Sequence, residues 1–323
     1  MKRYISTEKS RNPNYLKIKN TFGEVLPDAD EREIFEEHER VLESFENGKI
    51  ETGNYSLLEI KHMLLNLQPC CLCENRCMVD RRTNLGKCGV YGGEVASAFL
   101  HFGEERMLVP SGTIFFGGCP FKCVFCQNYD ISQNFSGRTM SDFEISQIAE
   151  KLYHIGARNI NWVGGDPIPH IPKIVGAMRF LEIEIPMVFN SNMYMTEKTL
   201  RLLSYTQDLF LTDFKYGNNR CAKRYSGIDN YTEIVKRNHI IAERYADLLI
   251  RHLVLPNHLE CCTRKIFEWI SDNLKNYRIN IMNQYTPYYR AIEYTEISRK
   301  ISDEEFEEAL KIAKDVGIDD KII

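Results

Sequence analysis

No stretch of about 18 uncharged apolar residues occurs in this chain, so no segment of it reads as a membrane-spanning helix. A secretory signal is missing as well, since Met1-Lys2-Arg3-Tyr4 leads into no apolar run. Neither sign of charge is in large excess. The 41 Lys and Arg against 45 Asp and Glu give a net −4, and that balance gives no electrostatic reason to expect nucleic acid as a partner. Internal repeats and low-complexity tracts are absent too. These absences leave the expectation of a cytoplasmic protein with neither membrane nor nucleic acid as partner. At 323 residues, 43% hydrophobic and 27% charged, the chain is long enough for one large α/β barrel-type domain with appendages.

What the chain does have is cysteine, eleven in all. A reducing compartment does not sustain disulfides, so clustered thiols point to metal instead. Eight fall into two groups: Cys70, Cys71, Cys73, Cys77 and Cys88, then Cys119, Cys123 and Cys126. Cys221, Cys261 and Cys262 sit apart and read as buried small apolar residues.

Hydrophobic periodicity organises the rest. Residues 1–28 show no sustained period and read as an irregular arm. Helices are expected over 31–46 and 56–67, the second ending before Pro69. The segment 70–89 is glycine-punctuated and loop-like, 94–102 reads as a strand, and Gly103-Glu104-Glu105 as a turn. From residue 113 strands and helices alternate. The strands are 113–116, 159–163, 187–189, 209–212, 248–255 and 278–282. The helices between them include one opened by the capping pair Ser141 and Glu144, and a last helix opens at Ser302 and stops at Gly317. Six βα-like units predict an α/β fold, a partial (β/α)6 TIM-like barrel with an N-terminal helical and cysteine-rich extension. The expected division is 1–69 for arm and helices, 70–110 for the cysteine-rich segment and hairpin, and 111–323 for the barrel.

Directly after the first barrel strand comes Gly117-Gly118-Cys119-Pro120-Phe121-Lys122-Cys123-Val124-Phe125-Cys126, a C-x3-C-x2-C loop. Three thiolates without a nearby fourth ligand fit a structural zinc site poorly, because such sites are closed by four ligands. They fit a [4Fe–4S] cubane with one iron left open to the amino and carboxylate groups of S-adenosylmethionine (SAM). The loop's place at the carboxyl end of a barrel strand is where such folds carry chemistry.

On these residues the chain resembles the radical SAM superfamily, and within it the homologues of the pyruvate formate-lyase activating enzyme with an N-terminal cysteine-rich segment. The resemblance covers roughly residues 70–290 and includes Gly-Thr-Ile-Phe-Phe, Asp-Phe-Lys-Tyr-Gly and Gln-Tyr-x-Pro stretches. It implies that Phe125 lies near the adenine, and Asn128 matches activating-enzyme usage. Gly164, Gly165 and Asp166 correspond to a Gly-Gly-Glu stretch that meets the SAM amino group, with Asp166 one methylene shorter. Asn190 and Asn192, then Asp213 and Lys215, end the next strands, and Lys215 is suited to the methionine carboxylate. Arg251 and His252 begin a further strand end, and Gln284 and Tyr285 end the sixth. Taken singly, Asp213 also reads as a strand-end salt-bridge partner and His252 as a structural histidine. No residue is singled out as catalytic.

The implied activity is reductive cleavage of SAM to a 5′-deoxyadenosyl radical that abstracts hydrogen from a substrate, with a low-potential electron donor as partner. A glycyl radical protein, a peptide or a small molecule are the substrate classes left open. A non-enzymatic iron–sulfur or zinc protein is the remaining alternative. Cys70, Cys73, Cys77 and Cys88 make a second possible metal site, C-x2-C-x3-C-x10-C. Its four ligands can close a zinc tetrahedron, the reading preferred here, or hold a second cluster.

Overall fold

The computed structural model describes residues 2–10, 12–135 and 137–323. Its N-terminal part is helical: α1 (Lys2–Ser10), α2 (Asn14–Lys19), the short strand β1 (Phe22–Gly23), α3 (Glu31–Glu46), β2 (Tyr55–Ser56) and α4 (Leu57–Leu65). The expected irregular arm is therefore two helices. Neither has an apolar stripe strong enough to be read locally, and long-range hydrogen bonds hold them. The Tyr4 amide donates to Asp247 (2.8 Å) and the Asn14 amide to Asp208 (3.0 Å). The expected helices α3 and α4 open with capping boxes, Asp30 with Glu33 and Ser56 with Glu59.

After the cysteine-rich loop the chain forms β3 (Val95–His101), β4 (Ser111–Phe116), α5 (Tyr129–Ser132), α6 (Asp142–His154), β5 (Ile160–Gly164) and α7 (Ile171–Met178). There follow β6 (Met187–Ser191), α8 (Glu197–Leu202), β7 (Leu209–Asp213), α9 (Asn219–Ser226), α10 (Tyr231–Tyr245), β8 (Asp247–Leu253), α11 (Lys265–Asn273), β9 (Tyr277–Met282) and α12 (Asp303–Asp315). One sheet runs in the order β3-β4-β5-β6-β7-β8-β9. The six strands from β4 to β9 are parallel, and β3 joins antiparallel to β4, so the strand expected at 94–102 belongs to the barrel sheet itself. β3 and β9 are not ladder partners, which makes this a partial TIM-like barrel.

Strand alternation sorts the side chains onto two faces. Trp162, Phe189, Phe210 and Ile250 turn outward into the main core beneath the helices. Val188, Leu209, Leu211 and Leu249 turn inward, where Leu108 and Tyr4 pack on them. Leu108 comes from the connection between β3 and β4, and Tyr4 from α1. Together they fill the amino-terminal end of the barrel.

Two local readings change. α9 is an added short helix whose buried face is only Cys221, Ala222, Tyr225 and Ser226, too small to read from the sequence. The helix that the strand–helix alternation places after β8 opens with a π-turn, Leu259–Arg264. Among the described residues no helix is long and apolar enough to cross a membrane.

Candidate functional site

The loop after β4 is built to bring three thiols together at the carboxyl end of the sheet. Gly118 has φ +70°, and a Cβ there would meet the Cys88 carbonyl oxygen at 2.7 Å, so both its conformation and its surroundings require glycine. The next amide, of Cys119, donates to that same oxygen at 3.1 Å. From the other side, the backbone of the β5 end donates to Phe116 O through Gly165 N (2.8 Å) and to Gly118 O through Asp166 N (3.1 Å). Gly164, at φ +142°, lies so close to Phe116 that a Cβ would collide with its oxygen at 2.1 Å.

Each thiol has a donor or hydroxyl beside it. Phe121 N donates to Cys119 Sγ (3.3 Å) and Asn192 Nδ2 lies 3.8 Å from the same atom. Ser226 Oγ is 2.9 Å from Cys123 Sγ, and Ser132 Oγ is 3.2 Å from Cys126 Sγ. Neither serine was picked out in the sequence, since nothing but folding brings them to the loop. Burial pushes the Cys119 thiol well up and the Cys123 thiol up to about 12. Such thiols become thiolates only with a cation to hold them. The three sulfurs do not all lie within 4.8 Å of one another, the spacing that a single ion's ligands would show. Thiols spread around a multi-iron cluster, with donors behind them, fit this arrangement.

The thiols open onto a cavity of about 410 Å³, within the usual range for small-molecule sites. Its walls include Phe125, Asn128, Gly164, Gly165, Asp166, Asn190, Asn192, Asp213, Lys215 and Arg251, ten of the eleven residues expected to face a cofactor. Phe115, Val163, Asn190, Asp213, Arg251 and Met282 reach it because each occupies the inward parity of its strand.

His252 has the opposite parity. It is fully buried on the helix side, with Nδ1 2.8 Å from Phe214 O and Nε2 2.9 Å from Thr263 Oγ1, and its expected place at the cofactor is corrected accordingly.

Several wall residues are held by neighbours. The Asp166 carboxylate accepts from Ile168 N and Asn192 N (both 2.9 Å) and from Ser191 Oγ (3.3 Å), which ties the β5 and β6 ends together. Burial raises its pKa to about 7 despite those amides. Lys215 Nζ sits 2.5 Å from Asp213 Oδ2. Burial alone would lower the Lys215 pKa, but the Asp213 carboxylate raises it and keeps the ammonium charged. Arg251 lies between Glu104 and Glu105, donating to both Glu105 oxygens at 2.7 Å, while Asn280 Nδ2 donates to Glu105 at 2.9 Å. From sequence alone the two glutamates read as part of a turn. Only the fold shows that this turn enters the barrel and closes the cavity from below. The Phe125 ring meets Tyr285 and Tyr216 edge-on, at centroid distances of 5.9 and 6.4 Å.

The first cysteine group lies against this loop through the contact of Cys119 N with Cys88 O. Cys77 and Cys88 Sγ lie 3.5 and 3.1 Å from the position a Cβ on Gly86 would take. Burial pushes the Cys73 thiol up to about 12, with the Cys88, Cys70 and Cys77 thiols nearby. Cys70, Cys73, Cys77 and Cys88 thus come together as the four-cysteine spacing expects, a set that suits zinc or a second cluster. The remaining cysteines are not scattered apolar filler either: Cys221 and Cys261 meet His258, with their ligand atoms within 4.8 Å.

Residues 113–270, which span this loop and most of the barrel, match the sequence model of the radical SAM superfamily. The chain belongs to the radical SAM superfamily. Radical SAM membership makes a [4Fe–4S] cluster and SAM its cofactors. The chain is also 41% identical to an uncharacterised protein of Methanocaldococcus jannaschii over 331 aligned positions, 98% of each chain. Among solved structures it is similar to a radical SAM methyltransferase from Sphaerobacter thermophilus (11% identity, TM-score 0.48, 93% of this chain and 94% of that one). It is similar also to Streptococcus suis SuiB bound to S-adenosylmethionine (12% identity, TM-score 0.48), covering 63% of this chain but only 48% of SuiB. A domain of a pyruvate-formate lyase-activating enzyme from Bacteroides vulgatus is 16% identical (TM-score 0.34, 43% of this chain and 80% of that one).

Proposed function

We propose that this protein reductively cleaves SAM and directs the resulting radical at a hydrogen atom of a substrate held at the cavity mouth. The supporting observation is convergence: three buried thiols and the inward polar ends of successive strands share one cavity. The cluster and SAM, when bound, supply the electron transfer that yields methionine and a 5′-deoxyadenosyl radical. The protein's own residues do the holding. Cys119, Cys123 and Cys126 bind the irons, and the Ser226 and Ser132 hydroxyls beside the sulfurs moderate their charge. Lys215, kept charged and aimed by Asp213, suits the methionine carboxylate. Phe125 offers an apolar face to the adenine, and Asn190 and Asn192 offer amides. Asp166 orders the loops around them.

For the acceptor, we read a glycyl radical protein, with a low-potential donor supplying the electron. The activating-enzyme-like Asn128 and the Asp213-Phe214-Lys215 stretch support this choice.

Anaerobically reconstituted protein, chemically reduced and given SAM, is expected to release 5′-deoxyadenosine. The Cys119/Cys123/Cys126→Ala triple variant is expected to release none. Equal release from both would overturn the reading. A glycyl radical signal appearing in a candidate partner protein would support the acceptor, and SAM-dependent modification of a peptide or small molecule in its place would reassign it.

A further inference from the structure

Cys221, His258, Cys261 and Cys262 form a donor set away from the cavity. We propose that they bind one zinc ion, as a structural site independent of the cluster.

Cys221 Sγ, a ring nitrogen of His258 and Cys261 Sγ lie within 4.8 Å of one another. Cys262 Sγ is 3.9 Å from Cys261 Sγ, close to the roughly 3.8 Å that tetrahedral zinc with bonds of about 2.3 Å sets between sulfurs. The Asn218 side-chain amide donates toward Cys221 Sγ (3.2 Å) and Cys262 Sγ (3.6 Å), support from outside that suits thiolates.

The histidine is oriented toward the same thiols. His258 is 5% exposed, and its Nδ1 lies 2.7 Å from the Pro256 carbonyl oxygen. A carbonyl only accepts, so the proton is on Nδ1 and Nε2 is the nitrogen left for a ligand. The polar neighbour of Nε2 is the Tyr225 hydroxyl at 3.1 Å, but that hydroxyl donates its proton to Glu296 Oε1 at 2.6 Å. The ring also hydrogen-bonds the Cys221 side chain, so the nitrogen left over from Pro256 is turned to a thiol of the group, the contact that a shared ion would replace. A zinc ligand with its other nitrogen bonded to a backbone carbonyl shows this arrangement.

The backbone is shaped to the same end. In the π-turn Leu259–Arg264 the amides of Cys262 and Thr263 both donate to His258 O, at 3.0 and 3.2 Å. The turn therefore folds both cysteines back toward the histidine, and π-turns of this kind recur at functional sites. Cys221, His258 and Cys261 supply three ligands, and Cys262, beside Cys261, is the fourth that closes the tetrahedron by a small turn of its side chain, leaving no open position and making the site structural.

Its position explains what it would do. Cys221 lies in the first turn of α9. At the other end of that helix Tyr225 O and Ser226 O accept from Val124 N (2.8 Å) and Lys122 N (3.0 Å), and Ser226 Oγ touches Cys123 Sγ. An ion at Cys221 anchors the helix that supports the cysteine loop.

The test uses the full-length protein loaded with zinc under anaerobic conditions. Peptides carrying Cys221 and Cys261-Cys262 should resist alkylation and become reactive once a high-affinity zinc chelator is added. The Cys221→Ser/Cys261→Ser variant should contain one zinc fewer per chain, with iron unchanged. Equal alkylation before and after chelation overturns the proposal, as does recovery of a disulfide-linked peptide among these cysteines. Either result would make the group a reactive or redox thiol pair. Equal zinc in both proteins also overturns it. The alkylation result stands on the unmodified chain if the variant fails to fold.

Discussion

The ammonium of Lys215 faces the same cavity as the cluster thiols and is held charged by Asp213. If it meets the SAM carboxylate, Lys215→Ala should weaken SAM binding by about 1–3 kcal/mol, the usual worth of a charged hydrogen bond. Iron content should not change. Titration of the reconstituted variant with SAM reads this directly, and an unaltered dissociation constant would leave Lys215 as a strand-end salt bridge only. At this scale the sequence was informative wherever strand parity could be followed. Asn190, Asp213 and Arg251 share one parity and all reach the cavity, whereas His252, next to Arg251, must face the opposite way. Treating Arg251 and His252 as one unit ignored that alternation. Ser226, Ser132, Glu104 and Glu105 gave no local signal, because their roles arise only when distant segments meet.

Elements with caps or a clear apolar period were legible: α3, α4, α6, α12 and the parallel strands. Those held by tertiary contacts were not. α1 and α2 depend on the carboxylates of Asp247 and Asp208. α9 depends on Asn218, whose side chain accepts from Cys221 N at 2.8 Å. The cysteine-rich segment between α4 and β3 has no regular structure of its own beyond an isolated bridge of Cys73 to Met195. Metal closure should therefore be a main source of its order. Replacing Cys73 and Cys77 by Ser is expected to lower soluble yield and melting temperature, while the folded fraction still cleaves SAM. Metal analysis in the background lacking the 119–126 cysteines, Cys221 and Cys261 reads this site alone, and one zinc per chain is the expected outcome, with iron and a cubane spectrum overturning it. A stable double variant that cleaves SAM but fails to modify its substrate would make the segment an auxiliary electron or substrate site.

Across the whole molecule, the N-terminal helices are joined to the barrel layer through a buried lysine. Lys61 Nζ lies 3.0 Å from both His38 Nε2 and Ser204 Oγ, and Glu39 accepts from His38 Nδ1 (2.9 Å) and pairs with Arg201. Burial drives the Lys61 pKa from 10.5 to about 7. Between those values the unfolded chain binds more protons than the folded one, so stability rises with pH across that window. Below about pH 7 the full penalty of the buried charge remains. Lys61→Met removes that titration. Relative to wild type it should gain most at or below pH 7, by up to about 4–5 kcal/mol. The loss of partners for His38 and Ser204 offsets this by about 1–3 kcal/mol. The gap should narrow steadily as pH approaches 10.5. Denaturant unfolding of both proteins over that range reads it, and a difference independent of pH would refute the assignment.

The filling of the barrel's lower end also bears on the order in which the chain is made. Tyr4 is tied to a residue 243 positions later, and Thr7 to one 201 positions later. The amide of Ile323 donates to Ile279 O beside the edge strand β9. As the chain leaves the ribosome, α1 has no floor to occupy until β8 exists, and β9 lacks this covering until residue 323 has emerged. Contacts so distant in sequence fold slowly, because a long loop must close before any of them forms. Assembly of the floor is thus a late step in the folding of the barrel. The cysteine loop, synthesised midway, emerges before the lower end of the barrel can be filled.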